Sequence, residues 1–185
     1  MLELLKHWDQ ELFIFLNNLG IERYDVFWIT ITQGETWTPL FIIFIGLIFF
    51  YYRAKKGGIV LLMLLVTVGF TMLLTNTVKE SIERLRPNNV EALSELIRIL
   101  QRPSNYSFFS GHASSSFSVT TFMVLVIRHY TKWIYLAYLW PLLFVASRIF
   151  VGVHYPSDIV VGAMVGVVMA YGGYVATKRI LVAIR

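Results

Sequence analysis

Cysteine is absent, which excludes disulfides and thiolate metal sites and leaves redox compartment unmarked. Charge is scarce as well: Asp, Glu, Lys and Arg make up 15% of the 185 residues, against roughly a quarter in an average globular chain. That missing charge is the surface a water-soluble domain requires. Neither a low-complexity tract nor an internal repeat is visible. No unbroken apolar run opens the chain, because Glu3, Lys6, Asp9 and Glu11 interrupt it, so a cleavable signal peptide is not expected there. The net charge of +5 is spread over small loop clusters, a pattern that suits a basic membrane protein and gives no reason to expect nucleic acid as a partner.

What is present is apolar: 57% of residues are hydrophobic and 16% aromatic. Lipid is the natural solvent for such a chain, and its length fits a single membrane-embedded domain, 1–185. Residues 3 to 19 place Leu4, Leu5, Trp8, Leu12, Phe15, Leu16 and Leu19 at helical spacing, opposite Glu3, Lys6, Asp9 and Gln10. This predicts an amphipathic N-terminal helix lying in the interface. The apolar stretch Tyr24 to Ile31 is either another interfacial piece or half of a bent span.

Five stronger segments follow, at 36–52, 58–78, 112–128, 133–151 and 158–177. Each approaches the ~20 residues that cross a ~30 Å hydrocarbon core, and lipid-exposed spans that are not barrels must be helices. The expected fold is all-α and integral to the membrane, a bundle of five to six transmembrane helices. Gly57-Gly58, Thr131-Lys132 and Tyr155-Pro156 are the expected punctuation. In the long connection from Lys79 to Ser110, the spacing of Val90, Leu93, Ile97 and Leu100 predicts an amphipathic helix between Pro87 and Pro103.

Alternation of the spans gathers Arg53, Lys55, Lys56, Arg128, Lys132, Lys178, Arg179 and Arg185 on one side, with no acidic residue among them. The positive-inside rule makes that side cytoplasmic. On the other side three separate regions converge. Lys79 closes the second span and Arg86-Pro87 follows; Ser110-Gly111-His112 opens the third; Ser147-Arg148 closes the fourth, and His154 and Asp158 open the fifth.

A cation in an apolar run costs at least ~2.5 kcal/mol and faces a cavity or a partner. Lys79, Arg86 and Arg148 together suit a dianion whose charge is spread over several oxygens, as in phosphate. A single helix-end cation is equally explained by snorkelling, and Ser110-Gly111 alone by a cap and a turn. Glycine before a helix start lets an anion approach the free N–H groups. A helix starting near Pro156 turns Asp158 back toward His154, where a carboxylate can fix the imidazole tautomer. Two histidines and an aspartate can also suggest zinc, but three adjacent cations repel a metal, and neither metal nor cofactor is expected.

These residues resemble the type 2 phosphatidic acid phosphatase superfamily of lipid phosphatases, related in active-site pattern to vanadium haloperoxidases. The family pattern K-x6-R-P, P-S-G-H and S-R-x5-H-x3-D reads here as Lys79 to Arg86-Pro87, Ser110-Gly111-His112, and Ser147-Arg148 to His154 to Asp158. Phe109 stands where the family usually has proline, which leaves the turn before Ser110 without that stiffening.

The resemblance implies a metal-independent hydrolase acting through a phosphohistidine. His154 is implied as nucleophile, Asp158 as its orienting carboxylate and His112 as general acid. Lys79, Arg86, Arg148, the Ser110 hydroxyl and the Gly111 N–H are implied to hold the phosphoryl oxygens. It also implies a bacterial cytoplasmic (inner) membrane location with the site on the periplasmic or exterior face. The partners are then the bilayer and a lipid phosphate, with no obligate protein partner. A short chain resembles the undecaprenyl-diphosphatase branch most, ahead of phosphatidylglycerophosphate, phosphatidic acid and lipid A phosphatases. Two other classes compete. A vanadate-dependent haloperoxidase uses a similar pocket but is soluble; a phosphate-lipid binding or transport protein explains the cations and leaves both histidines idle.

Overall fold

The computed structural model describes residues 2–184, with side chains from residue 4 onward. The described residues form helices and loops, with no strand among them. Arg185, one of the basic residues assigned to the cytoplasmic side, lies outside them, as does the side chain of Glu3.

Helix α1 (Leu2–Asn18) is followed by the seven-residue helix α2 (Asp25–Ile31). Seven residues rise only about 10 Å, so α2 does not cross a bilayer by itself. Trp28 of α2 stacks on Phe150 at 4.2 Å between centroids, fixing this piece to the body of the protein. Helix α1 keeps its amphipathic character, with Leu5, Trp8, Leu12, Phe15 and Leu19 exposed. It docks through Phe13 and Asn17, both fully buried. Asn17 donates to Ile149 O at 2.8 Å and Arg98 O at 3.1 Å and accepts from Arg98 N at 2.7 Å.

Helix α3 (Thr38–Ile82) has 45 residues, about 68 Å if straight at ~1.5 Å per residue. It is broken once. Arg53 takes φ 57 and ψ −179, separating a helical run at 38–52 from one at 54–82. The expected break was at Gly57-Gly58. Gly57 instead sits buried just after the break, where a Cβ would stand 2.9 Å from Phe49 Cδ1. Its role is close passage of the returning chain beside the first run. Glu83, in the left-handed region at φ 52, ends α3 with its N–H on Lys79 O at 3.0 Å.

The amphipathic helix expected between Pro87 and Pro103 is only one turn, α4 (Glu91–Ser94). Leu93 and Ile97 are buried as their spacing suggested, packed with Phe13, Ile149 and Tyr155. The chain beyond α4 leaves the helix because its backbone finds other partners. Asn17 takes Arg98, and Leu100 N and Gln101 N both donate to Val151 O at 3.1 and 3.4 Å.

Helix α5 (Gly111–Ile127) occupies the centre, with Ser114, Ser118, Phe122, Met123 and Ile127 buried. Helices α3, α6 (Leu139–Phe150) and α7 (Pro156–Ala183) surround it. The α5–α7 contact is set by small residues, as in membrane helix pairs generally. A Cβ on Gly162 would lie 2.6 Å from Ser110 O, and one on Gly166 2.3 Å from Ser114 O. On the opposite flank, Thr75 meets Ser114 at 2.9 Å and Thr71 meets Ser118 at 3.2 Å between hydroxyls.

Three helical stretches, Gly34–Ser94, Lys132–Phe150 and Pro156–Ala183, are long and apolar enough to cross a membrane; α5 is a shorter apolar helix. Ile42, Phe50, Leu65, Leu73, Met164 and Val168 are all more than 60% exposed, an apolar perimeter that lipid covers and water would not. The protein is an all-helical membrane protein.

Candidate active site

Four helix ends, with the connections between them, bring the candidate residues to one end of the bundle. Lys79 lies in the last turn of α3, and Arg86 just beyond it at the start of a short 3-10 turn. Ser110 is the N-cap of α5, so Gly111 and His112 occupy its first turn. Arg148 lies in the last turn of α6. His154 is in the connection to α7, whose N-terminus holds Asp158 in a capping box with Tyr155.

Lys79, Arg86, Gly111, His112, Arg148 and His154 line one cavity of about 370 Å³, together with Thr75, Asn76, Asn105 and Ser115. No carboxylate is among its lining residues. Three guanidinium or ammonium groups therefore face one space without an acidic residue in its wall. Each cation is held from behind. Lys79 Nζ donates to the carbonyls of Tyr106 and, at 3.0 Å, Ser107. Arg86 donates to Asn105 O at 2.7 Å, Asn105 Oδ1 at 2.8 Å and Val153 O at 3.0 Å. Arg148 donates to Thr32 and to Gln101 Oε1 at 3.2 Å, while its Nε is buried with no partner. A buried unpaired donor is costly, and an anion in the cavity offers it an acceptor.

The tautomer of His154 follows from its neighbours. Arg86 Nη1 lies 2.9 Å from His154 Nε2. A guanidinium only donates, so Nε2 carries the lone pair and Nδ1 the proton. Nδ1 stands 3.3 Å from Asp158 Oδ2 and 3.2 Å from Ser107 Oγ. Burial, followed by the positive charge of Arg86, Arg148, Lys79 and Arg84, holds the imidazole pKa well below its ordinary value. The ring is neutral at pH 7, with a lone pair directed at the cation-lined side.

Two of the candidate residues are behind the wall. Asp158 is fully buried; its Oδ2 accepts from Tyr155 N at 3.0 Å and from Ser107 Oγ, and its Oδ1 from Arg84 Nη1 at 2.8 Å. Ser110 is also fully buried. Its hydroxyl accepts from Ala113 N at 3.4 Å and its N–H donates to Asp158 O at 3.0 Å, so here it caps α5 and ties it to α7. His112 is on the wall, its ring 4.7 Å from that of Phe144. Phe109, buried before the cap, occupies the position of the usual proline. Among the described residues no group of three or more His, Asp or Glu side chains is placed to hold a metal ion.

Sequence reasoning missed a further layer. Arg84 pairs with Asp9 at 2.7 Å and Asp158 at 2.8 Å, donates to Ser157 Oγ at 2.8 Å, and lies 4.0 Å above the Tyr155 ring. Asp9, read as part of the solvated side of α1, faces inward and also accepts from Ser157 N at 2.9 Å and from its hydroxyl. The one available signal for Arg84 was its place two residues before Arg86 in a non-helical segment, where alternate side chains share a side. Nothing local to Asp9 links it to residues 148 positions away.

Proteins of known kind share this architecture. The chain is 29% identical over 178 residues to a lipid A 4'-phosphatase of Bacteroides thetaiotaomicron, covering 94% of this chain and 77% of that protein. It is 27% identical over 173 residues to a lipid A 4'-phosphatase of Porphyromonas gingivalis, covering 90% and 71%. An undecaprenyl-diphosphatase of Sulfolobus acidocaldarius matches at 31% over a shorter 96 residues, 51% of this chain and 44% of that one. In fold, the chain is similar to a transmembrane PAP2-type phosphatidylglycerolphosphate phosphatase from Bacillus subtilis, with TM-score 0.74 and 23% identity over 98% of this chain and 88% of that one. LpxE from Aquifex aeolicus follows at TM-score 0.62 and 24% identity, over 88% and 92%. The family profile aligns from Val60 on α3 to Leu181 near the end of α7, through every residue of the cavity motifs, and the chain belongs to the PAP2 superfamily.

Proposed function

We propose that this protein, a lipid phosphatase by family, hydrolyses its substrate at the cavity shared by His112 and His154, through a phosphohistidine on His154 Nε2. The observation that carries this reading is the neutral, lone-pair-bearing Nε2 held against a guanidinium at a cavity lined by three cations. In-line attack by Nε2 on phosphorus breaks the bond to the lipid oxygen, which takes a proton from His112. Water, deprotonated by His112, then attacks the phosphohistidine and releases phosphate. Lys79, Arg86, Arg148 and the Gly111 N–H carry the phosphoryl oxygens. Asp158 keeps Nδ1 protonated and stabilises the positive imidazole that develops. Phosphoryl transfer asks mainly for positioning and charge stabilisation, and these groups supply both. Ser110 enters this scheme through its cap on α5, which fixes the Gly111 N–H and His112 at the cavity wall.

Five helical runs, 38–52, 54–82, 111–127, 132–150 and 156–183, serve as the membrane-crossing segments. The end opposite the cavity bears Arg53, Lys55, Lys56, Arg128, Lys132, Lys178 and Arg179 and no carboxylate. That favours a cytoplasmic assignment for it, and we infer that the cavity opens on the non-cytoplasmic face of a bacterial inner membrane.

For the substrate we infer the 4'-phosphate of lipid A, because two lipid A 4'-phosphatases align over nine-tenths of this chain or more. Undecaprenyl diphosphate is the second reading, favoured by the undecaprenyl-diphosphatase match and by a trio of cations suited to a diphosphate. Phosphate release by the purified protein from lipid A, undecaprenyl diphosphate, phosphatidylglycerophosphate and phosphatidic acid tests the ranking. Lipid A should be turned over fastest and His154→Ala should be inactive on all four. Faster release from undecaprenyl diphosphate would overturn the first reading in favour of the second.

A further inference from the structure

A second cavity, of about 570 Å³, lies at the opposite end of the bundle. It is built where the α3 break, the end of α5 and the last turns of α7 meet. Arg53, Lys56 and Lys178 line it, with His129 beside them. No ion pair or hydrogen bond joins these side chains to any described residue. No Asp or Glu occurs in residues 36–79, 96–157 or 159–185, the stretches that build this end. Like charges gathered in one concavity raise its potential and attract a counter-ion.

Aromatic rings build one wall. Tyr51 stacks on Tyr130 at 4.6 Å, and Tyr52 meets the same ring edge-on at 5.6 Å. Tyr52 is fixed in turn by its hydroxyl, which donates to Val126 O at 2.8 Å. Val126, near the end of α5, and Tyr174, one turn before Lys178 on α7, carry the lining toward the membrane interior, while Leu181 and Val182 follow Lys178 on the outer side. Cations with Val126 and Tyr174 on their membrane side suit a charged headgroup and the start of its chain.

Backbone strain singles out the same place. Arg53 has φ 57 and ψ −179, a region occupied almost only by glycine, and such conformations cluster at ligand clamps. A glycine would make this break without strain, yet the position carries a guanidinium that lines the cavity. The positive-inside rule accounts for basic residues at this end. It does not account for three of them sharing one cavity, or for an arginine where the backbone favours glycine.

We propose that this cavity binds a phosphate anion, specifically the headgroup of an acidic phospholipid whose chain passes Val126 and Tyr174 into the bilayer. The site is separate from the catalytic cavity and does not depend on the reading of His154.

The test is thermal unfolding of the full chain in neutral detergent, titrated with phosphatidylglycerol, phosphatidylcholine or inorganic phosphate. Phosphatidylglycerol should raise the midpoint, and the other two should not at equal concentration. In a Lys56→Gln/Lys178→Gln variant the half-saturating concentration should rise about tenfold or more, as expected for loss of a charge-assisted hydrogen bond. A Lys55→Gln/Arg179→Gln variant, with the same charge loss outside the cavity, should titrate like the parent. Arg53→Gly should raise the midpoint without lipid, by removing strain, and reduce the lipid-dependent increment. Equal losses in both double variants, or none in the cavity pair, would overturn the site. A shift by inorganic phosphate that the cavity variants abolish would overturn the lipid and leave a free phosphate ion as occupant.

Discussion

At the scale of single residues, the account turns on the protonation of His154. Its folded pKa lies below the unfolded value of about 6.5, so as pH falls through that range the unfolded chain takes up the proton first. The associated stability is therefore full above about pH 6.5 and is lost progressively as pH drops toward the folded pKa. For catalysis, the same displacement places the acid limb of kcat/KM contributed by His154 below pH 6.5. Replacing Arg86, the first charged cause of the displacement, by Gln should move that limb to higher pH while lowering the rate; a limb that stays in place would show that another group titrates. His112 is predicted to act on the rate and not on binding. His112→Ala should keep affinity for inorganic phosphate or vanadate and lose roughly 10²- to 10⁴-fold in kcat, the usual range for a general acid, with competitive inhibition constants as the check.

At the scale of elements, α1 is part of the site. Asp9 on α1, Arg84 after α3 and Asp158 on α7 form one chain of charged contacts at 2.7 and 2.8 Å, and Asp158 in turn orients His154. Arg84→Gln and Asp9→Ala should each lower kcat by roughly 10- to 100-fold, the cost of small misplacements at a reacting group, with KM little changed. Arg84→Lys should recover part of the loss. An effect on KM alone would contradict a positioning role. The α5–α7 packing makes a separate prediction. Gly166→Ala forces a Cβ toward Ser114 O and should destabilise by about 1–3 kcal/mol, the range for overpacking, read as a lower unfolding midpoint. Gly172→Ala, with open space around the new Cβ, should not.

These elements also show which parts of the molecule were legible in the sequence. The motif residues could be placed because each lies next to a helix end, and a helix end is marked by local chemistry: Ser110 as cap, Pro156 in the first turn, Lys79 closing an apolar run. The interruption after residue 52 was legible, because the apolar run stops there; that the backbone turns at Arg53 itself, and not at Gly57-Gly58, was not, because an arginine at positive φ carries no local signature. The helix expected from Val90 to Leu100 was curtailed by tertiary hydrogen bonds from Asn17 and Val151, which no local pattern encodes. Asp9 and Ser107 were missed for the same reason, since each acquires its partners only when distant segments pack.

At the scale of the whole molecule, lipid-facing side chains enclose a bundle whose two ends differ in charge and in purpose. The carboxylates lie toward the histidine end, where Asp158 and Asp9 brace the site, and the other end is left wholly basic. Both imidazoles open on one cavity, so the bundle can hold a single phosphoryl group between them while the lipid tail stays in the bilayer. The most direct test of that claim is to quench the enzyme during turnover of a lipid labelled with radioactive phosphate and locate the label on the protein. An acid-labile, alkali-stable phosphoenzyme is expected, mapping to the peptide that contains His154 and absent from His154→Ala. A label on any other residue, or turnover that persists in His154→Ala, would contradict it.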